Sequence, residues 1–186
     1  MMDRWSLPKT LNVGGKDYPI RYQFGPVLDI LSAYSDQELD DEEKAEIMLK
    51  ILYPDIEKIP ETLISEAFEK ACEFIDCGQK EEGTPKPRLM DWNHDADLII
   101  PAINNVAGKE IRADPELHWW TFWGFFMSIG DSLFSSVIHI RKKKKSGKKL
   151  EKWEEEFYRE NKSLIDMKTP ETEEIKAEKE SILKWL

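Results

Sequence analysis

The reading of the fold turns on Asp114 to Lys152, DPELHWWTFWGFFMSIGDSLFSSVIHIRKKKKSGKKLEK. Three tryptophans and three phenylalanines fall within the eight positions Trp119 to Phe126, and the stretch ends in a basic run. Asp114 reads as an N-cap, with Pro115 at the first helical position, where a missing N–H costs nothing. Trp119, Phe122, Trp123 and Phe126 fall on one side of the helix so begun, Trp120 and Met127 on another. A helix that is apolar most of the way round is buried at the centre of a domain or spans a membrane. Trp119 to Ile140 is long enough to cross, and the lysines beyond it satisfy the positive-inside bias. Gly130-Asp131 lies at the midpoint, however, where an Asp costs roughly 2.5–3.5 kcal/mol on insertion scales. Ser128, Ser132, Ser135 and Ser136 add further polar groups. Gly130-Asp131-Ser132 therefore reads as the end of one helix and the N-cap of the next, and two buried helices are expected to form the core.

A chain of 186 residues suits one domain with an extended tail and can bury a sizeable core. The net charge is −10, and residues 141–150 alone carry one Arg, six Lys and no acid. An acidic balance of that size argues against a general nucleic-acid binder. Cys72 and Cys77 sit at a spacing unsuited to a close helical pair and lack the second half of a zinc frame, so two free thiols in a reducing cytoplasm are expected. Met1 to Arg4 opens no apolar signal core.

Working outward, residues 5–25 hold the one expected sheet. Leu11 and Val13 alternate before Gly14-Gly15, and Tyr18, Ile20 and Tyr22 alternate after it, a two-residue hairpin signal. Pro19 lacks a ladder donor, which puts its strand at an edge. A phosphate-cradling loop would need longer glycine spacing and a following Lys-Ser/Thr. Helical periodicity then predicts a helix from Pro26 to Tyr34, and a second one capped by Asp40 with acids at Asp41, Glu42 and Glu43, where the helix dipole favours them. A third begins near Pro60 and stops at Gly78, and residues 79–90 are expected to form a loop. A fourth is capped by Asp95, carries Pro101 inside it and ends at Gly108. His94, Asp95 and Asp97 with a remote His118 are the best metal candidates, but they do not share a helical face, and the capping role explains the same residues.

Beyond Leu150 the pattern changes. Leu150, Trp153, Phe157 and Leu164 form a thin stripe on a charged background, followed by a terminal cluster, Ile182, Leu183, Trp185 and Leu186. At about 25 cal/mol per Å² a stripe so narrow does not offset ordering entropy, so residues 150–186 are expected to be dispensable for folding and to contact a partner. The expected architecture is mostly α: a helical core domain, 1–149, with an N-terminal β-hairpin, and an extended charged amphipathic helical segment, 150–186. No catalytic constellation, metal frame or cofactor motif is legible, and a non-enzymatic protein is expected. The candidate partner-binding residues are Arg141, Lys142, Lys143, Lys144, Lys145, Lys148, Lys149, Trp153, Phe157 and Trp185.

Two stretches carry a family resemblance: WSLPKTLNVGGKDYPIRYQF near the start, and DADLIIPAINNVAGKEIRADPELHWWTFWGFFMSIGDSLFSSVIHIRKKK, with DADLII (Asp95 to Ile100) and LHWW (Leu117 to Trp120) its most specific parts. From Trp5 to about Phe157 the chain resembles bacteriophage tail-module proteins encoded near the tape-measure gene in phages of Gram-positive hosts. The resemblance implies a tail assembly chaperone in the cytoplasm of the bacterial host cell, with the tape-measure protein and the tail-tube protein as partners and a homo-oligomer as a further candidate. It brings no catalytic residue. The alternatives are a structural component of the tail and, further off, a nucleic-acid binder using the run from 141 to 149, which lacks interleaved aromatics. No membrane partner is expected.

Overall fold

A computed structural model describes residues 5–79 and 88–167. It is mostly helical with one two-stranded antiparallel hairpin, as the periodicity predicts. The strands are β1 (Thr10–Val13) and β2 (Lys16–Pro19), with Leu11 opposite Tyr18. Gly14 and Gly15 take φ of 58° and 80°, the left-handed pair that a tight hairpin turn needs. A Cβ on Gly14 would also require the Leu63 side chain to shift. Leu11, Val13, Tyr18 and Ile20 are buried, because the hairpin lays its inner face on the helices.

Helices α1 (Phe24–Ser35) and α2 (Asp41–Leu52) pack together. Asp40 accepts the Glu43 N–H at 2.8 Å while Glu43 accepts the Asp40 N–H at 3.0 Å, so the expected acidic start of α2 is a reciprocal capping box. At the other end of α2, Arg21 Nη1 donates to the Ile51 carbonyl at 2.6 Å. Helix α3 (Ile64–Ile75) is followed by two left-handed residues, Cys77 at φ 53° and, at the expected stop, Gly78 at φ 67°. Gly78 N–H then reaches back to the Glu73 carbonyl at 2.8 Å.

Helix α4 (Ala96–Ala107) carries Pro101 inside it and ends, as expected, at a left-handed Gly108. The aromatic helix α5 (Trp119–Met127) begins later than Asp114-Pro115 suggests, and its N-cap is His118. The reason is pairing. Residues 22–24 and 117–119 bond as a short antiparallel bridge, Phe24 N–H to Leu117 O at 3.0 Å and Trp119 N–H to Tyr22 O at 2.8 Å. That bridge holds Leu117-His118 extended until the helix can start. Helix α6 (Leu133–Lys145) opens with a Ser132/Ser135 capping box and runs on through the basic residues. Helices α7 (Lys152–Glu160) and α8 (Lys162–Ile165) complete the described chain.

Helix α5 enters the core by one face and is not buried all round as its composition predicts. Trp119 and Phe122 are buried, and Phe24 stacks on Phe122 with centroids 4.8 Å apart. Phe126 bridges Trp92, Trp123 and Phe134. Trp120, Trp123 and Phe126 are only half-buried, and Met127 stands exposed. No helix among the described residues is long and apolar enough to cross a membrane.

Candidate functional site

The LHWW stretch is the first functional candidate, and the structure gives each of its polar atoms an architectural role. His118 Nδ1 accepts the Trp120 N–H at 3.0 Å, so the ring proton sits on Nε2, which donates to the Pro8 carbonyl at 2.9 Å. Burial pushes the His118 pKa below its ordinary 6.5, and Lys9 adds to the shift against the pull of the Pro8 bond. Trp119 Nε1 donates to Ile75 O and Trp120 Nε1 to Phe74 O, both at 2.8 Å. Two adjacent indoles thus donate to two carbonyls at the C-terminal end of α3, of which Phe74 O also accepts the Cys77 N–H at 3.0 Å. One short motif ties the N-terminal segment, α3 and α5 together.

The basic run is the second candidate, and the structure divides it. Arg141 does not belong to the exposed charge: it is 6% exposed, and its guanidinium is held on every side. Nε donates to Ile165 O at 2.7 Å, Nη1 to Asp95 Oδ2 at 2.7 Å and Leu89 O at 3.0 Å, and Nη2 to Asp95 Oδ1 at 2.8 Å and Leu164 O at 2.6 Å. A guanidinium has five N–H donors, and all are used. Asp95, fully buried, also accepts the Asp91 N–H at 2.9 Å. Its carboxylate makes no cap bond to α4, contrary to the expected capping role; it is the counter-ion of Arg141. His94 lies 4.0 Å from it and His118 is committed to Pro8, so the metal candidates are dispersed. No group of three or more His, Cys, Asp or Glu among the described residues could hold a metal.

Lys143 Nζ sits 2.6 and 2.8 Å from the two carboxylate oxygens of Glu154, whose residue is fully buried. The hydrogen bond from Lys143 holds the Glu154 pKa below the usual carboxylate value, helped by the Glu151 N–H. Lys144 bonds Asp166 at 2.6 Å and lies over the Tyr158 ring at 3.6 Å. Burial works against its charge, but the bonds to Asp166 and Tyr158 outweigh that and raise its pKa. Lys145 donates to the Arg88 carbonyl at 3.1 Å. Lys142, Lys148 and Lys149 are exposed and have no partner among the described residues. A cleft of about 510 Å³ opens beside Arg88, Lys144, Lys145 and Asp166, but each of its cations already holds an acceptor.

Trp153 is exposed, as a partner contact would require, whereas Phe157 packs against the core. Trp185 lies outside the described residues. The thin stripe is more than a stripe within 150–167: Ile165 is 1% exposed, and Tyr158 and Leu150 also pack inward. The basic face of α6 draws this acidic segment back onto the domain, an electrostatic reason that hydrophobic periodicity alone does not register. Cys72 and Cys77 are free, and burial pushes both thiols up, Cys77 to about 12, away from nucleophilic use.

The sequence missed Asp95, Glu154 and the Leu164 and Ile165 carbonyls as partners of the run. A separation of 46 residues between Arg141 and Asp95 leaves no local pattern to read. The molecule is thus a small helical protein whose basic helix is largely consumed in joining its own segments.

Comparison with family models adds what geometry alone does not. The model of the bacteriophage Gp15 protein family matches residues 3–167, through α7 and α8, and the chain belongs to that family. Comparisons with curated proteins and with solved structures return no match.

Proposed function

We propose that this phage protein is a non-enzymatic tail assembly factor that acts in the host cytoplasm as a chaperone for the tape-measure protein. The observation that carries the reading is the family match across residues 3–167, joined to the resemblance of the DADLII and LHWW stretches to tail-module proteins. The surface is compatible with it. A net charge of −10 keeps complexes soluble, and Trp5, Leu7, Met127, Leu133 and Trp153 stand exposed as apolar contacts. A long helical client exposing apolar side chains before the tail tube closes over it needs a cover of that kind. Nucleic-acid binding is less supported than the bare sequence suggested, because Arg141, Lys143 and Lys144 spend their charge on Asp95, Glu154 and Asp166.

Mass spectrometry of purified virions tests the reading, together with co-expression of the tape-measure protein. A chaperone is missing from virions and co-purifies with its client. Stoichiometric presence in virions would instead make the protein a structural component of the tail.

A further inference from the structure

A groove beside α4 has lining residues that take no part in the Arg141 clasp. It holds about 260 Å³ between α4 and the α5–α6 connection. Leu98, Pro101 and Ala102 form one wall, Ile129 and Leu133 the other. Pockets that enclose a small ligand run from about 300 to 1,000 Å³, so this one suits one or two side chains of a partner better than a whole molecule. One of the exposed large apolar side chains, Leu133 at 48%, lines the groove.

The polar character of the groove has one sign. Its only charged lining residues are Asp97 and Asp131. Pro101 has no N–H, so the Asp97 carbonyl, four residues back in α4, has no i+4 helical donor. Arg112, the cation that acts on Asp97, is itself bonded to Glu110 at 2.8 Å. An apolar floor with carboxylates at its rim selects a partner that brings alkyl groups together with positive charge.

We propose that this groove docks an amphipathic helix of a protein partner, its apolar side chains at i and i+3 or i+4 entering beside Leu133 and a Lys or Arg reaching Asp97 and Asp131. The inference rests on the chaperone reading only for the expectation that such a client helix exists. The test uses the full chain and a fluorescein-labelled 18-residue model helix of Leu and Lys in amphipathic spacing, with a Leu/Glu helix of the same pattern for comparison. The Leu/Lys helix should bind at least tenfold more tightly than the Leu/Glu helix. Leu133→Gln should weaken it about tenfold, and Asp97→Asn with Asp131→Asn should weaken it similarly and flatten its salt dependence. Glu57→Gln, an exposed acid that does not line the groove, should leave it unchanged. Amide shift changes on titration should centre on α4 and residues 129–133. Equal binding by all variants would reduce the effect to general attraction to an acidic protein and overturn the proposal. So would shifts centred elsewhere, or a homodimer in sedimentation that Leu133→Gln dissociates, which would give the groove to a second copy. Virion mass spectrometry can fail the chaperone reading without touching these affinities, so the two failures are distinguishable.

Discussion

Replacing Arg141 with Met removes a positive charge and five hydrogen bonds from a side chain that is 6% exposed at the wall of the cleft. Asp95 has no exposed surface, so its carboxylate would be left with the Asp91 N–H alone. Breaking a buried pair by deleting one partner costs about 3–5 kcal/mol, because the survivor is an uncompensated charge. The Leu89, Leu164 and Ile165 carbonyls lose their donor as well, and each buried acceptor left unmade costs about 1–3 kcal/mol unless water reaches it. We therefore expect Arg141→Met to lose at least about 4 kcal/mol, a large fraction of the roughly 5–15 kcal/mol that holds a domain folded. Arg141→Lys keeps the charge but has three donors in place of a planar fork, and should lose about 3 kcal/mol. The pair variant Asp95→Leu with Arg141→Met separates the two contributions. It removes the orphaned charge but not the orphaned carbonyls, so it should be less destabilised than Arg141→Met alone and still less stable than the parent. Urea denaturation followed by tryptophan fluorescence measures all three, and at about 2–4 °C per kcal/mol the melting temperature of Arg141→Met should fall by about 8–16 °C. A loss under about 1 kcal/mol for Arg141→Met would refute the clasp, since it would mean that Arg141 is solvated and its partners indifferent to it.

The same clasp makes residues 150–167 part of the folded unit, so truncation after Lys149, which removes Ile165 and two of the clasped carbonyls, should cost at least about 3 kcal/mol; a melting temperature within two or three degrees of the parent would restore the dispensable tail expected from periodicity. Trp119→Phe keeps an aromatic ring but leaves Ile75 O without its donor, and should lose about 1–2 kcal/mol in the same urea titration, against about 3–5 kcal/mol for Trp119→Ala. His118 is held neutral below its ordinary pKa of 6.5, so its contribution is complete above that value and is lost as pH falls through the lower folded pKa. Stability compared between about pH 7.5 and pH 5 should drop for the parent and drop less for His118→Asn, which cannot titrate; equal slopes would show that His118 is not the titrating group. The Glu154 contribution, from a carboxylate held below 4.5, is lost only at lower pH and does not confuse that window.

Local chemistry was legible wherever it is local. Gly14-Gly15 between alternating runs, Asp40 with Glu43 three residues on, and Gly108 at the end of α4 each dictate a conformation from a few neighbouring residues, and the structure has them where expected. The start of α5 was misplaced because Asp114-Pro115 is a locally sound N-terminus that tertiary pairing overrides. The bridge from residues 22–24 offers the backbone of 117–119 better partners than a helix would, and His118 then supplies the cap. Such a conflict between local preference and global pairing is invisible to any window shorter than the separation of its strands.

The basic run is the same lesson carried into function. Seven cations in ten residues read as one surface because sequence gives them one neighbourhood, but a helix turns them to different sides. Arg141 continues the buried face of Phe134, Val137 and Ile140, at the spacing that places side chains over the same stripe. A charge on an apolar stripe must find a counter-ion, and that requirement was available from the sequence once the helix was extended through residue 145. What it could not name was the counter-ion. Asp95 opens α4 inside the DADLII stretch, and LHWW closes the joint between α3, α5 and the N-terminal segment, so both family-like stretches hold the scaffold together. The residues those joints leave outside are Lys142, Lys148 and Lys149 and the Leu133 groove with its two aspartates, and the proposed function assigns partner selection to them. On that proposal the opposite signs of the two surfaces would let one client be gripped at two sites of complementary charge, which a single basic patch would not provide.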